Sequence, residues 1–128
     1  MMIEEYQKGR VEGFNYNCAE KVVNLGNEVL DLDLPKTATK LAAGFGLGMG
    51  VKHLCGAIAG AVMVLSARHV DTVARESDIY QRTSAFLQEV ENTLGSWLCA
   101  DLREKYYNPE TKCEKIIETV ISCLDEHL

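Results

Sequence analysis

The chain predicts an all-α protein, a compact single-domain helical bundle of about five main helices. Three observations carry this expectation. Apolar residues recur at helical spacing along most of the chain, as in Cys18, Val22, Leu25 and Val29. Runs that alternate β-branched and polar residues are missing, so no segment reads as a half-buried strand. Only two prolines, Pro35 and Pro109, interrupt 128 residues, and that length suits one domain over 1–128.

The elements follow in order. A first helical region runs from about Ile3 to Leu30, loosened around Gly13 to Asn17. The segment DLDLP breaks it, because Pro35 disfavours helical geometry at Leu34 yet suits the first turn of a second helix, Lys36 to about Ala43. Glycine at every second position in GFGLGMG marks a tight loop. A third helix follows from about His53 to Val70, and its small residues Gly56, Ala57, Gly60 and Ala61 let another helix approach, which makes it the central one. A polar-faced fourth helix spans Thr72 to Leu94 and stops at Gly95. A short helix from Trp97 to Lys105, a loop at Asn108 and Pro109, and a last helix from Lys112 to Glu126 complete the chain.

Charge and composition narrow the function. The net charge is -6 and no run of Lys and Arg occurs, so nucleic acid and anionic lipid surfaces are not expected partners. The N-terminal MMIEEYQKGR lacks the basic start and apolar run of an export signal. The longest apolar stretch, Leu54 to Ala67, falls short of the roughly 20 residues that cross a bilayer. A cytoplasmic protein that does not span a membrane is the expectation, and self-association to a homodimer would cover its remaining apolar surface. In a reducing compartment, five cysteines point to metal binding or redox work more than to structural disulfides.

The placement of those cysteines is the most informative feature. Asn17 followed by Glu20 has capping-box spacing and puts Cys18 at the first helical position. Thr111 followed by Glu114 does the same and puts Cys113 second in its helix. Ser96 is a good cap, with Cys99 then third, and Cys55 falls within the first turn or so after the glycine-rich loop. Free N–H groups and the helix dipole at such positions favour a thiolate, which is both nucleophile and metal ligand. Cys123, in the last helical turns, has no such help and reads as apolar filler.

The stretches NCAEKVV, AAGFGLGMG, CGAIAGAVMVL, GSWLCADL and KCEKIIETV resemble, in order and over nearly the whole chain, the redox-active family defined by four cysteines and a CGAxxG motif. The motif stands here as Cys55, Gly56, Ala57 and Gly60, and the four family cysteines map onto Cys18, Cys55, Cys99 and Cys113. The resemblance implies a redox role. It also implies a similarity to the non-haem part of split-Soret cytochromes, where an iron–sulfur cluster occurs. The chain has no CxxCH, so covalent haem is not expected.

Other sites are weaker. The glycine-rich loop lacks a glycine at Met49 and a following GK[ST], so a nucleotide loop is not indicated. His53, two residues before Cys55, is a candidate fourth ligand or proton donor, although a surface histidine is the commoner case. Trp97, Tyr106 and Tyr107 are expected to pack or to cover the site. Four readings remain. The first is a redox protein whose four cysteines hold an iron–sulfur cluster or exchange disulfides with an unidentified redox partner. The others are a structural zinc module with the same ligands, a metal-free thiol oxidoreductase, and a helical interaction protein with inert cysteines. Convergence decides among them, because four thiolates gather at one place only around a cation, a cluster or pairwise oxidation.

Overall fold

The computed structural model describes residues 1–128, which form seven α-helices and no sheet. The helices are α1 (Met2–Gln7), α2 (Cys18–Val29), α3 (Lys36–Thr39), α4 (Gly56–His69), α5 (Ile79–Leu94), α6 (Cys99–Tyr106) and α7 (Glu114–Asp125). The class agrees with the expectation, and the larger count has local causes. The first helical region is two helices, because the chain takes left-handed backbone at Gly9, Gly13 and Asn15. The fourth helix starts at Ile79 and not at Thr72. Ser77 Oγ accepts from the Ile79 N–H at 3.2 Å and Thr72 Oγ1 donates to Glu76 at 2.9 Å, side-chain bonds that compete with helical pairing. Only Lys36 to Thr39 of the second helix is α-helical, and Lys40–Phe45 tightens to a 3-10 turn.

Packing centres on α4, whose Gly56 to Ala61 are all buried. A methyl group added at Gly60 would stand 2.8 Å from the Ala19 carbonyl oxygen and 3.2 Å from Val22 Cβ, so α2 lies almost in backbone contact with α4. Further along the pair, one added at Gly26 would meet Val64 at 2.7 Å. These contacts advance together along both helices, so α2 and α4 run parallel. The segment 30–55 returns the chain to make that possible, and α5 then runs back, so α6 begins beside the start of α4. The core is closed by Phe86 and Val90 of α5, Leu102 of α6, and Ile116, Ile117, Val120, Ile121 and Leu124 of α7.

The α1 helix is fixed from the far end of the chain. Asp125 accepts from the N–H of Met2 at 2.9 Å and of Ile3 at 3.0 Å, which satisfies two donors that a helix start leaves free. No helix is long and apolar enough to cross a membrane.

Candidate functional site

Each of four cysteines stands at the start of a helix. Cys18 is the first residue of α2, as the sequence predicts, behind a complete capping box: Asn17 Oδ1 accepts from the Glu20 N–H and Glu20 Oε1 from the Asn17 N–H, both at 2.9 Å. Cys99 is also first in its helix rather than third, since Ser96 Oγ accepts from the Leu98 N–H at 3.0 Å and leaves Leu98 at the cap position. Cys55 is itself the residue that precedes α4. Cys113 has the same role before α7, two positions from the expected place, because the Thr111 capping box does not form. Asn108 and Lys112 instead close a short loop by exchanging backbone hydrogen bonds, and Lys112 takes left-handed backbone there.

Backbone pairing and missing side chains bring these starts together. The Cys55 N–H donates to the Trp97 carbonyl at 2.9 Å and the Cys99 N–H to the His53 carbonyl at 2.5 Å, around a single bridge between Leu54 and Leu98. The Cys18 sulfur fills the place that a side chain on Gly56 would take: an added Cβ would stand 2.5 Å from that sulfur and 2.7 Å from the Phe45 carbonyl oxygen. The glycine after Cys55 is thus a seat for the sulfur of a neighbouring helix.

All four cysteines line one cavity of about 530 Å³. Its walls include Tyr16, Leu47, Leu102, Ile116 and Ile117, and its charges are Lys21, Arg103 and Lys112 against Glu12, Glu110 and Glu114. Cys55 and Cys99 are buried, while Cys18 and Cys113 are half-buried. All are free thiols, and no three His, Cys, Asp or Glu side chains stand close enough to hold a single metal ion.

The expectation of thiolates at these positions needs correction for three of them. Burial pushes the Cys55 thiol up to about 12, against the opposing pull of the Ile58 and Ala57 N–H groups. Burial also raises Cys99 and Cys113, with Arg103 acting in the other direction on both. Removal from water costs a thiolate more than the helix ends return, so these three sulfurs are neutral thiols near neutral pH.

Of the other sequence candidates, His53 contributes its backbone, while its side chain is exposed and off the cavity wall. Trp97 locks the start of α6 through Nε1 donating to the Leu87 carbonyl at 2.8 Å. Tyr106 donates to the Leu94 carbonyl at 3.4 Å, and Tyr107 lies under the Arg103 guanidinium. Cys123 stands apart as expected, buried at the end of α7 near Glu89 and Thr93 of α5. Lys21 and Arg103 line the cavity without having been expected from the sequence. The signal was present, since they follow Cys18 and Cys99 by three and four residues, one helical turn on the same face. Tyr6 is a further unexpected residue, whose buried hydroxyl has no hydrogen-bond partner and is acted on by Glu114, Glu12, Glu118 and Cys113.

Comparison with curated proteins and with solved structures gives no match. A family profile does match, over residues 16–127, a span that holds all four cavity cysteines. Its label places Gly before Cys in the central motif, where this chain reads Cys55-Gly56-Ala57. With 112 of 128 residues matched and the four cysteines on one cavity, the chain belongs to the family described as "Putative redox-active protein (C_GCAxxG_C_C)".

Proposed function

We propose that the protein is an electron-transfer or redox protein in which Cys18, Cys55, Cys99 and Cys113 hold an iron–sulfur cluster in the cavity they line. The observation that carries this reading is the gathering of four helix-start cysteines on one cavity. Its donor chemistry suits such a cluster, because cysteine sulfur is the usual ligand for both [2Fe–2S] and [4Fe–4S] forms. A single zinc ion fits less well. With Zn–S bonds of about 2.3 Å, its ligand sulfurs must sit roughly 3.8 Å apart, and no three ligand-type side chains are grouped tightly enough for one ion. A cluster of several irons bridges a wider gap.

When bound, the cluster would supply a one-electron donor and acceptor. The chain's own part is to release protons and balance charge. Cys55, Cys99 and Cys113 are neutral thiols, so ligation at these positions expels their protons and becomes easier as pH rises. Lys21, Arg103 and Lys112 offset the negative charge that four thiolates bring. Leu102, Ile116 and Ile117 form an apolar back wall that limits water.

Protein purified without air is expected to carry iron and acid-labile sulfide with a visible charge-transfer absorption. Serine at any of the four cavity cysteines removes it, and serine at Cys123 does not. Zinc without sulfide would support the structural-metal reading. Absence of any metal, with reversible oxidation of paired cavity thiols, would support thiol–disulfide exchange. A homodimer belongs to the same proposal, because Leu41, Leu47, Met49 and Val51 are exposed along one glycine-rich segment and a second copy would cover them. Light scattering that gives a monomer mass at high concentration would remove that part.

A further inference from the structure

Of the five arginines, Arg10 and Arg82 pair with carboxylates, while Arg68 and Arg75 form no ion pair. Arg103 instead donates from Nη1 to the Cys113 sulfur at 3.5 Å, and its guanidinium carbon lies 4.2 Å over the Tyr107 ring. It belongs to α6 and follows Cys99 by four residues, so it shares a helix face with that cysteine while touching the one that opens α7. Its group faces the cavity that both line.

We propose that Arg103, held flat on Tyr107, is the positioning cation of this site, holding the Cys113 sulfur on the cavity wall that Cys99 also lines and offsetting the negative charge these two sulfurs take on. The proposal rests on the reading that the four cysteines are working groups. A guanidinium suits the task because it keeps its charge at any pH met by the protein and can stack and donate at once. Lysine could keep the charge but has no plane to lie on the ring. Lys21 and Lys112 share the cavity, yet neither makes a hydrogen bond to a sulfur, and Lys21 is paired with Glu12 at 3.5 Å.

The test uses reduced, metal-free, full-length protein alkylated with iodoacetamide at one neutral pH, with rates mapped to each cysteine by mass spectrometry. Cys18 is the internal reference, as it lines the same cavity without a hydrogen bond to Arg103. R103M is expected to slow Cys113 and Cys99 relative to Cys18 by roughly three- to tenfold, and R103K to restore at least half of that loss for Cys113. Y107L, which removes the ring and leaves every charge in place, should slow Cys113 more than Cys99. Ratios unchanged in R103M, or lowered equally by R103M and R103K, would overturn the proposal.

A second arm measures the midpoint potential of iron–sulfur-loaded protein. Loss of the cation should make reduction harder and lower the potential in R103M, with R103K between the two. Wild-type protein that takes up no cluster would refute the proposed function while the alkylation ratios still decide the role of Arg103.

Discussion

At Cys55 two physical effects meet at one sulfur, and burial wins. The residue is only 6 % exposed, yet the free N–H groups of the following turn point toward it. Its thiol titrates near 12 in the folded chain against about 9 when unfolded. The folded value is raised, so the stabilising contribution is complete below about pH 9 and is lost as pH rises from there toward 12. Metal-free protein should therefore lose up to about 1.4 kcal/mol per pH unit at this residue in that window. Denaturant melts of wild type and C55A across pH 8–11 measure it: the alanine variant should show the shallower decline, and parallel curves would disprove the claim. Such a shift could not be read in advance from residue order. The Asn17 and Glu20 capping box was legible because it is made within four residues, whereas the burial of Cys55 comes from α2 and α6, far away in sequence.

Helix packing turns the central motif into a statement about distance. Gly60 admits the Ala19 carbonyl and Gly56 admits the Cys18 sulfur, so one motif sets both the spacing of α2 from α4 and the seat of a second cysteine. G60A should cost about 2 kcal/mol, since a methyl group there meets backbone that cannot step aside. A chemical denaturation midpoint unchanged from wild type would contradict this. A second consequence concerns the glycine-rich segment, where Leu47, Met49 and Lys52 also take left-handed backbone. For a residue with a side chain that conformation costs roughly 1–2 kcal/mol. Met49 is exposed, so M49G should raise stability by about 1 kcal/mol. V51G, at an exposed position without positive φ, should lower it; a fall in both thermal midpoints would refute the strain argument. Alternate glycines announced a loop here, but nothing in Leu47 or Met49 announces a left-handed residue. The same limit explains the start of α5, which the sequence places at Thr72 and the local bonds of Thr72 and Ser77 move to Ile79.

Across the whole molecule, four helix starts share one end only because consecutive helices are not all antiparallel neighbours. The return of segment 30–55 makes α2 and α4 parallel, an arrangement that helix periodicity does not encode. The cysteines could be chosen from the sequence, and Lys21 and Arg103 one turn after two of them, while the common cavity and the Asp125 contact came from the fold. D125A should cost about 1–2 kcal/mol, because it leaves the Met2 and Ile3 N–H groups without their partner. A thermal midpoint within error of wild type would refute that. The Asp125 carboxylate also couples distant regions, joining residues more than 120 positions apart. The α7 helix that carries it starts directly after Cys113, so the first and last helices and the cavity wall are expected to behave as one cooperative unit in hydrogen exchange. Amides of α1 and of the first turns of α7 should open with a common free energy in wild type. In D125A the α1 amides should exchange first and alone, which would show that one carboxylate converts two local openings into a single event.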